Sequence, residues 1–357
     1  MRSALSARIA ASSLSVLTVA GLLAGPPAVA ADPLPLHTAP TPLLWPRSGL
    51  EAVSATGPDD VWAVGYQGYQ GIDWSVPGWG AGTIHVLPPK GAVVHWNGTS
   101  WQTYDPPGAG GDVVIQEVDA EARDNVWITG TIRPHDGGNT GRYLAHWDGT
   151  RWKQVATPDD GCGPLHPAAD STGAWFACSV GLVRWEDGRW TDQDTGAPDN
   201  CCIAVNEISV VSDESAWAAA TWGLLHWDGR SWSKVPGYDD VQWGRVLAVS
   251  DTEVWATGSQ RVDGSMKRIA VRWDGASWQD FPSPPTGERL IRTGDGAMWA
   301  LQPTWGELYR LENGAWTKQA PPVPGDGQVT GGTAVPGDPG LWLVGKTKNV
   351  PVVIHNR

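Results

Sequence analysis

The residues of this chain that could move protons are few and scattered. Tyr238-Asp239-Asp240 forms one group, and Arg133, His135 and Asp136 form another. A glycan hydrolase needs two carboxyl groups flanking the bond it breaks, and a lyase needs a base and a proton donor within reach of one carbon. Neither group is accompanied by a nucleophile motif. Asp60, Asp124, Asp213, Asp251 and Asp295 also look like catalytic acids. They recur a few residues before a Trp, however, where a turn needs a side-chain acceptor for its own backbone. They are read as turn residues. The cysteines Cys162, Cys178, Cys201 and Cys202 are not spaced as metal ligands and have no His cluster beside them. No metal and no cofactor is expected.

Binding chemistry has more material. The chain has 24 Trp and only 2 Phe. Trp rings stack on the C–H faces of sugars and fill interfaces. Most of these rings have another use, because they sit in two motifs that repeat. The first is an apolar strand carrying one Trp, at Trp62, Trp127, Trp175, Trp217, Trp255, Trp299 and Trp342. The spacings are 65, 48, 42, 38, 44 and 43 residues. The second is typified by His226-Trp227-Asp228-Gly229-Arg230-Ser231-Trp232 and recurs near residues 95, 146, 184, 272 and, more weakly, 310. Asx-Gly between two aromatics reads as a β-hairpin, with Gly supplying the positive φ of the tight turn.

Each unit therefore supplies four strands: a before the acidic turn, b with the first Trp, c and d around the Asx-Gly turn. Four strands in about 40–45 residues is the period of a β-propeller blade. The predicted fold is all-β, a seven-bladed propeller of four-stranded antiparallel blades. The seventh unit, ending near Pro351-Val352-Val353-Ile354-His355, lacks strand d. Leu34 to Thr38 is expected to supply it, completing the last blade and covering two sheet edges.

These motifs resemble the Trp-rich repeats of secreted bacterial β-propeller proteins, and through them the kelch, Asp-box and two-component-regulator repeats. The resemblance covers about residue 50 to the C-terminus and implies the fold. The match to the Asp-box, Ser-x-Asp-x-Gly-x-Thr-Trp, is partial. This chain has its Asp-Gly and its Trp but carries His or Arg where that motif has Ser, so the resemblance implies no sialidase.

Residues 1–30 read as a secretory signal: Arg2 and Arg8, an apolar run from Ile9 to Leu23, then Ala28-Val29-Ala30. Residues 31–49 form the N-terminal segment with the closing strand, and 50–357 the single propeller domain. A secreted, monomeric protein without membrane insertion is expected. The net charge is −13, or −15 without the leader's two arginines. That repels phosphate backbones and excludes nucleic acid as a partner class. The cysteines suit an oxidising compartment. Three pairings into two disulfides are conceivable. In two of them Cys162 and Cys178 each bond one member of the Cys201-Cys202 pair. The other is Cys162–Cys178.

Six Trp fall outside the repeat. In a propeller the a–b and c–d turns share one face, and the b–c and d–a connections share the other, here termed the loop face. Trp74, Trp79, Trp222 and Trp305 map to b–c connections, and Trp45 and Trp243 to d–a connections. Trp222 and Trp305 sit in matching Thr-Trp-Gly steps, which local packing also explains. The longest insertion, Tyr66 to Gly91, is rich in Gly and aromatics and suits either a recognition loop or a plug of the channel. The expected ligand-binding residues are Tyr66, Tyr69, Trp74, Trp79, Trp222, Tyr238, Trp243 and Trp305, with Trp74, Trp79 and Trp243 as the main contacts. The expected function is extracellular, non-catalytic glycan recognition. The alternatives are a glycan hydrolase or lyase using acids on the same face, and a scaffold for an extracellular or cell-surface protein. Non-reducing peptide mapping of exported protein is expected to recover Cys178 in a disulfide; four free thiols would overturn the framework.

Overall fold

Alternation and turn chemistry decide the architecture. Strand b of blade 4, Ser215–Ala220, is apolar after its first residue and buried along its whole length, as a strand inside a layered ring must be. The hairpin after it turns at Gly229, whose φ is 84°. Asp228 Oδ1 accepts from the amides of Arg230 and Ser231 at 3.0 and 2.9 Å, so the turn satisfies its own backbone.

The computed structural model describes residues 35–76, 80–135, 138–158, 165–179, 181–198, 204–238, 240–285 and 289–356, with backbone alone for 72–74, 76 and 80–85. These form seven four-stranded antiparallel sheets in chain order, with no helix among the described residues. Blade 1 comprises Gly49–Gly57, Asp60–Gln67, Lys90–Trp96 and Trp101–Tyr104. Blade 5 comprises Val241–Ser250, Glu253–Val262, Ser265–Trp273 and Trp278–Asp280. Blade 7 takes Gln328–Ala334, Leu341–Lys346 and Pro351–His355 from one end of the chain and His37–Thr38 from the other. His37 pairs with His355 and Thr38 with Ile354. Ala39 N donates to Val353 O at 2.9 Å. The missing outer strand is supplied as the sequence predicts.

The insertion in blade 1 is more regular than a loop. Gln70–Val76 pairs with Gly80–Leu87 as a two-stranded hairpin separate from the blades. Cys178 ends strand b of blade 3, Gly173–Cys178, where it is buried and disulfide-bonded. Cys162, Cys201 and Cys202 lie outside the described residues.

The seven strand-b tryptophans are 1 to 7 % exposed. Each faces two neighbours. Across its own blade it meets a basic residue near the end of strand c, which a Trp follows in blades 1 to 5. Trp62 stacks on His95 at 4.3 Å, Trp127 on His146 at 4.4 Å and Trp342 on His355 at 4.9 Å, and Trp217 tilts over His226 at 4.4 Å. In the other three blades the partner is an arginine: Arg184, Arg272 and Arg310 lie over Trp175, Trp255 and Trp299. The strand register places each of these pairs directly opposite. Toward the next blade Trp62, Trp175, Trp217 and Trp342 meet hairpin aromatics, Trp127 meets Phe176, and Trp299 packs with Leu341, Leu343 and Ile354. Trp62 lies 5.6 and 5.5 Å from Trp147 and Trp152, and Trp175 lies 5.1 and 5.2 Å from Trp227 and Trp232. Trp342 reaches Trp96 and Trp101, both at 5.9 Å, which closes the ring from blade 7 to blade 1.

Burying one such ring is worth about 4–6 kcal/mol as an upper estimate from its area. Among the described residues the indole N–H groups of Trp62, Trp217, Trp299 and Trp342 meet no acceptor. Area and ring contact therefore hold these side chains, not hydrogen bonds.

Burial holds His146, His226 and His355 below their ordinary value of 6.5. The folded ring keeps them neutral while the unfolded chain protonates them near 6.5. Their contribution to stability is therefore present above pH 6.5 and is lost as pH falls through that value toward the folded ones. Asp119, pushed up by burial to about 6, acts in the opposite sense below that pH, but it is one group against three. The melting temperature is expected to fall between pH 7.5 and pH 5.5, and replacing the three histidines by Gln is expected to flatten that slope. An unchanged wild-type melting curve across the window would overturn the account.

Candidate functional site

The innermost strands line the central channel, and several of them bulge where they enter it from the loop face. Register shifts occur between Leu50 and Ala52, Ile115 and Glu117, Val205 and Glu207, Trp243 and Arg245, and Val329 and Gly331. In four of these blades a strand-b Gly faces the bulge. A Cβ on Gly258 would stand 2.5 Å from Gln242 O, so only glycine lets the bulged backbone approach. Gly65, Gly130 and Gly345 repeat that contact, which explains the recurrent Trp-x-x-Gly.

The bulges aim charged side chains into the channel. Arg289, the first residue of strand a in blade 6, reaches across to Glu117 of blade 2, Nη2 to Oε2 at 2.8 Å. His166 Nδ1 of blade 3 lies 3.5 Å from the other oxygen of Glu117. Burial pushes the Glu117 carboxyl up, but Arg289 and His166 outweigh it and hold the group well below the usual carboxylate range. In blade 4, Glu207 Oε2 accepts from Val246 N at 2.9 Å, and its Oε1 lies 3.6 Å from Arg245 Nη1. Glu51 Oε1 is 2.5 Å from Lys346 Nζ. Each of these carboxylates is bound to a cation, and Glu207 also to a backbone amide.

Beside this network, on the loop face, lies a cleft of about 550 Å³ formed chiefly by blade 5. Asn206 and Gln242 supply amides, Thr257, Ser259 and Ser283 hydroxyls, and His166, Arg245 and Arg268 cationic or protonatable groups. Ile269 and Pro284 are its apolar side chains, and Gly244 and Gly258 contribute bare backbone. No carboxylate and no Trp, Tyr or Phe lines it among the described residues.

Of the aromatic residues expected to bind, Trp305 is on the surface, 68 % exposed in the b–c connection of blade 6. Trp45, in the segment before blade 1, is 66 % exposed, with Lys90 Nζ 5.9 Å from its ring. Trp243 is a correction. It lies inside strand a of blade 5, not in a connection, and is 1 % exposed in the core between blades 4 and 5. The bulge at Gly244 turns it inward, so a ligand does not reach it. Tyr238, at φ 58°, sets its ring edgewise on Trp243 at 5.7 Å. These two site residues are thus brought into contact. Tyr66 is half-buried under Lys346, 5.6 Å away, and Tyr69 is half-buried. Trp222 is half-buried against the core of blades 3 and 4. Trp74 is in the inserted hairpin, its backbone paired with Gly82, and Trp79 lies outside the described residues.

His135 is exposed and bonded to Asp112 at 3.0 Å, Arg133 and Asp240 are exposed, and Asp136 and Asp239 lie outside the described residues. Asp60 is structural: buried, bonded to His95 Nε2 at 2.5 Å and to the Thr56 hydroxyl. Burial raises its carboxyl, but His95 and Thr56 hold it below its ordinary value.

No protein-family model and no curated protein matches the chain. Solved structures do. YCF48 bound to a D1 peptide is 14% identical, covers 91% of this chain and 98% of its own, and superposes with a TM-score of 0.56. A streptogramin B lyase is 12% identical over 89% of this chain and 97% of its own, at 0.58. The GH74 xyloglucanase from Xanthomonas campestris is 12% identical over 87% of this chain and 52% of its own, at 0.53. The likeness is one of fold. At these identities it carries no residue of any site across.

Trp243→Ala is therefore expected to behave as a core truncation and cost about 3–5 kcal/mol of stability, as Trp217→Ala does. Melting curves of the two variants side by side check this, and a Trp243→Ala protein that melts like the parent would return that ring to the surface.

Proposed function

We propose that this chain is a secreted binding protein, exported by residues 1–30 and stabilised by disulfides, that recognises a glycan on its loop face without cleaving it. The observation that carries the reading is the blade 5 cleft and the composition of its walls. Side-chain amides and hydroxyls converge there on a space of about 550 Å³, enough for a short saccharide. Such groups replace the water around a polyhydroxylated ligand hydrogen bond for hydrogen bond. The closest carboxylates, Glu117 and Glu207, are tied to arginines and to a backbone amide. A hydrolase would need two carboxyl groups available to the glycosidic oxygen and to water.

Trp305 is the proposed stacking ring at the rim, since among the described side chains it is the exposed member of the aromatic set and lies on the same face. Tyr66, Tyr69, Trp74, Trp79, Trp222 and Tyr238 remain proposed contacts of that face. The propellers of similar shape include a xyloglucanase and a protein bound to a peptide, so the fold itself admits glycan and protein partners alike. The kelch-like repeat ancestry and the monomeric state belong to this proposal as well.

A glycan array on the mature protein, followed by calorimetry on the best ligand, tests it. Asn206→Ala and Gln242→Ala are each expected to weaken binding by about 0.5–1.5 kcal/mol, and Trp305→Ala by about 1–3 kcal/mol. None of the three should move the melting temperature by more than a few degrees. An empty array would end the glycan reading: with polysaccharide cleavage it is replaced by the enzyme, and with capture of one defined cell-surface protein by the scaffold.

A further inference from the structure

The cleft is charged against the rest of the molecule. The chain carries 38 acidic and 25 basic residues, yet among the described residues the cleft walls hold Arg245, Arg268 and His166 and no carboxylate. Its floor has an equally specific origin. The bulged position of strand a is Glu51, Gln116, Asn206 and Thr330 in blades 1, 2, 4 and 7, and Gly244 in blade 5. A Cβ at Gly244 would meet only Thr257 O, at 3.8 Å, and its φ is not in the left-handed region. Neither backbone geometry nor crowding requires glycine there, in contrast to Gly258 opposite. The missing side chain is what opens the cleft.

We infer that blade 5 reads an acidic group on the glycan, a carboxylate or a sulfate, which enters over Gly244 and is held between Arg245 and Arg268. The inference rests on the glycan reading above. Arg245 lines the cleft with its Nη1 3.6 Å from Glu207 Oε1. Arg268 is exposed and makes only a long contact to Pro284 O, 3.4 Å. Planar guanidinium forks match carboxylate and sulfate oxygens, and a cationic recess on an acidic surface focuses the field on an incoming anion. A glycan is favoured over an acidic peptide because the walls are mostly amides and hydroxyls, with Ile269 and Pro284 as their apolar side chains. The methylene stems of the arginines supply the remaining apolar surface for a sugar face.

The experiment is an array of uronate-bearing and sulfated glycans printed beside their carboxyl-reduced and desulfated counterparts, probed with the mature protein, G244Q, R245Q and R268Q. Acidic members are expected to bind at least tenfold more tightly than their neutral counterparts. R245Q and R268Q are expected to abolish that preference, and G244Q is expected to abolish binding with an unchanged melting temperature. R268Q alters an exposed side chain and keeps the test valid even where G244Q is poorly folded. Equal binding of acidic and neutral members, or variants that bind as the parent does, would overturn the inference and leave the glycan reading standing. No binding to any glycan would overturn both. Selective binding of an acidic peptide that R245Q and R268Q abolish would keep the anion site and overturn its assignment to a glycan.

Discussion

The contact of each strand-b Trp with the next blade, an aromatic hairpin for Trp62, Trp175, Trp217 and Trp342 and an aliphatic core for Trp299, is the constraint on which the ring depends. A four-stranded blade has two apolar faces and no way to cover both by itself. One large, rigid side chain per blade, set at the same register, fills the wedge to its neighbour. The same ring is clamped from behind by a His or an Arg on the opposing strand, which fixes its rotation. Because the contact passes from blade to blade, it has to close on itself. Trp342 against Trp96 and Trp101 is the closure, and the two-residue strand His37–Thr38 reinforces it with backbone hydrogen bonds.

With packing settled on the turn-face side of the blades, the inner strands are free to vary at the loop face. The bulges there cost one unpaired residue each and re-aim the neighbouring side chains. Glu117, Glu207 and Arg245 enter the channel by this route, and Trp243 leaves the surface by it. The cross-channel pair of Arg289 and Glu117 ties blade 6 to blade 2 and narrows the channel mouth beside the cleft. Structure and site thus use the same local device, and they differ in what the bulged residue carries.

The fold was legible because its signals repeat. Seven Trp strands and six Asx-Gly turns report blade number, strand order and the absent outer strand, and one sequence is enough to read them. The site was less legible for a physical reason. His166, Asn206, Arg245 and Arg268 occur once each in their surroundings and converge through the packing of blades 3, 4 and 5, which no spacing records. Arg289 and Glu117 meet across 172 residues of chain. Trp243 misled because it looked like a connection residue; the signal that it belonged to a strand was the Val241-x-Trp243 alternation running into Val246 and Ala248, all of them buried. The His or Arg before the strand-c Trp was visible as a departure from the Asp-box, but its role as the Trp's cross-strand partner needs the register.

The terminal closure has a consequence for how the chain acquires its shape. Thr38 pairs with Ile354, so one side of the seventh blade is synthesised long before the other. Blades 1 to 6 are each made from contiguous chain and can form in order as they emerge. The ring cannot, because its first segment has no partner until the distant one arrives, and such a non-local step is slow. In the interval His37–Thr38 waits unpaired while the edge of blade 1 that will face blade 7 stays open. The hinge between a growing arc and a finished circle therefore lies in the seventh blade, and an agent that holds the N-terminal segment aside would keep the protein as an arc with the remaining blades intact.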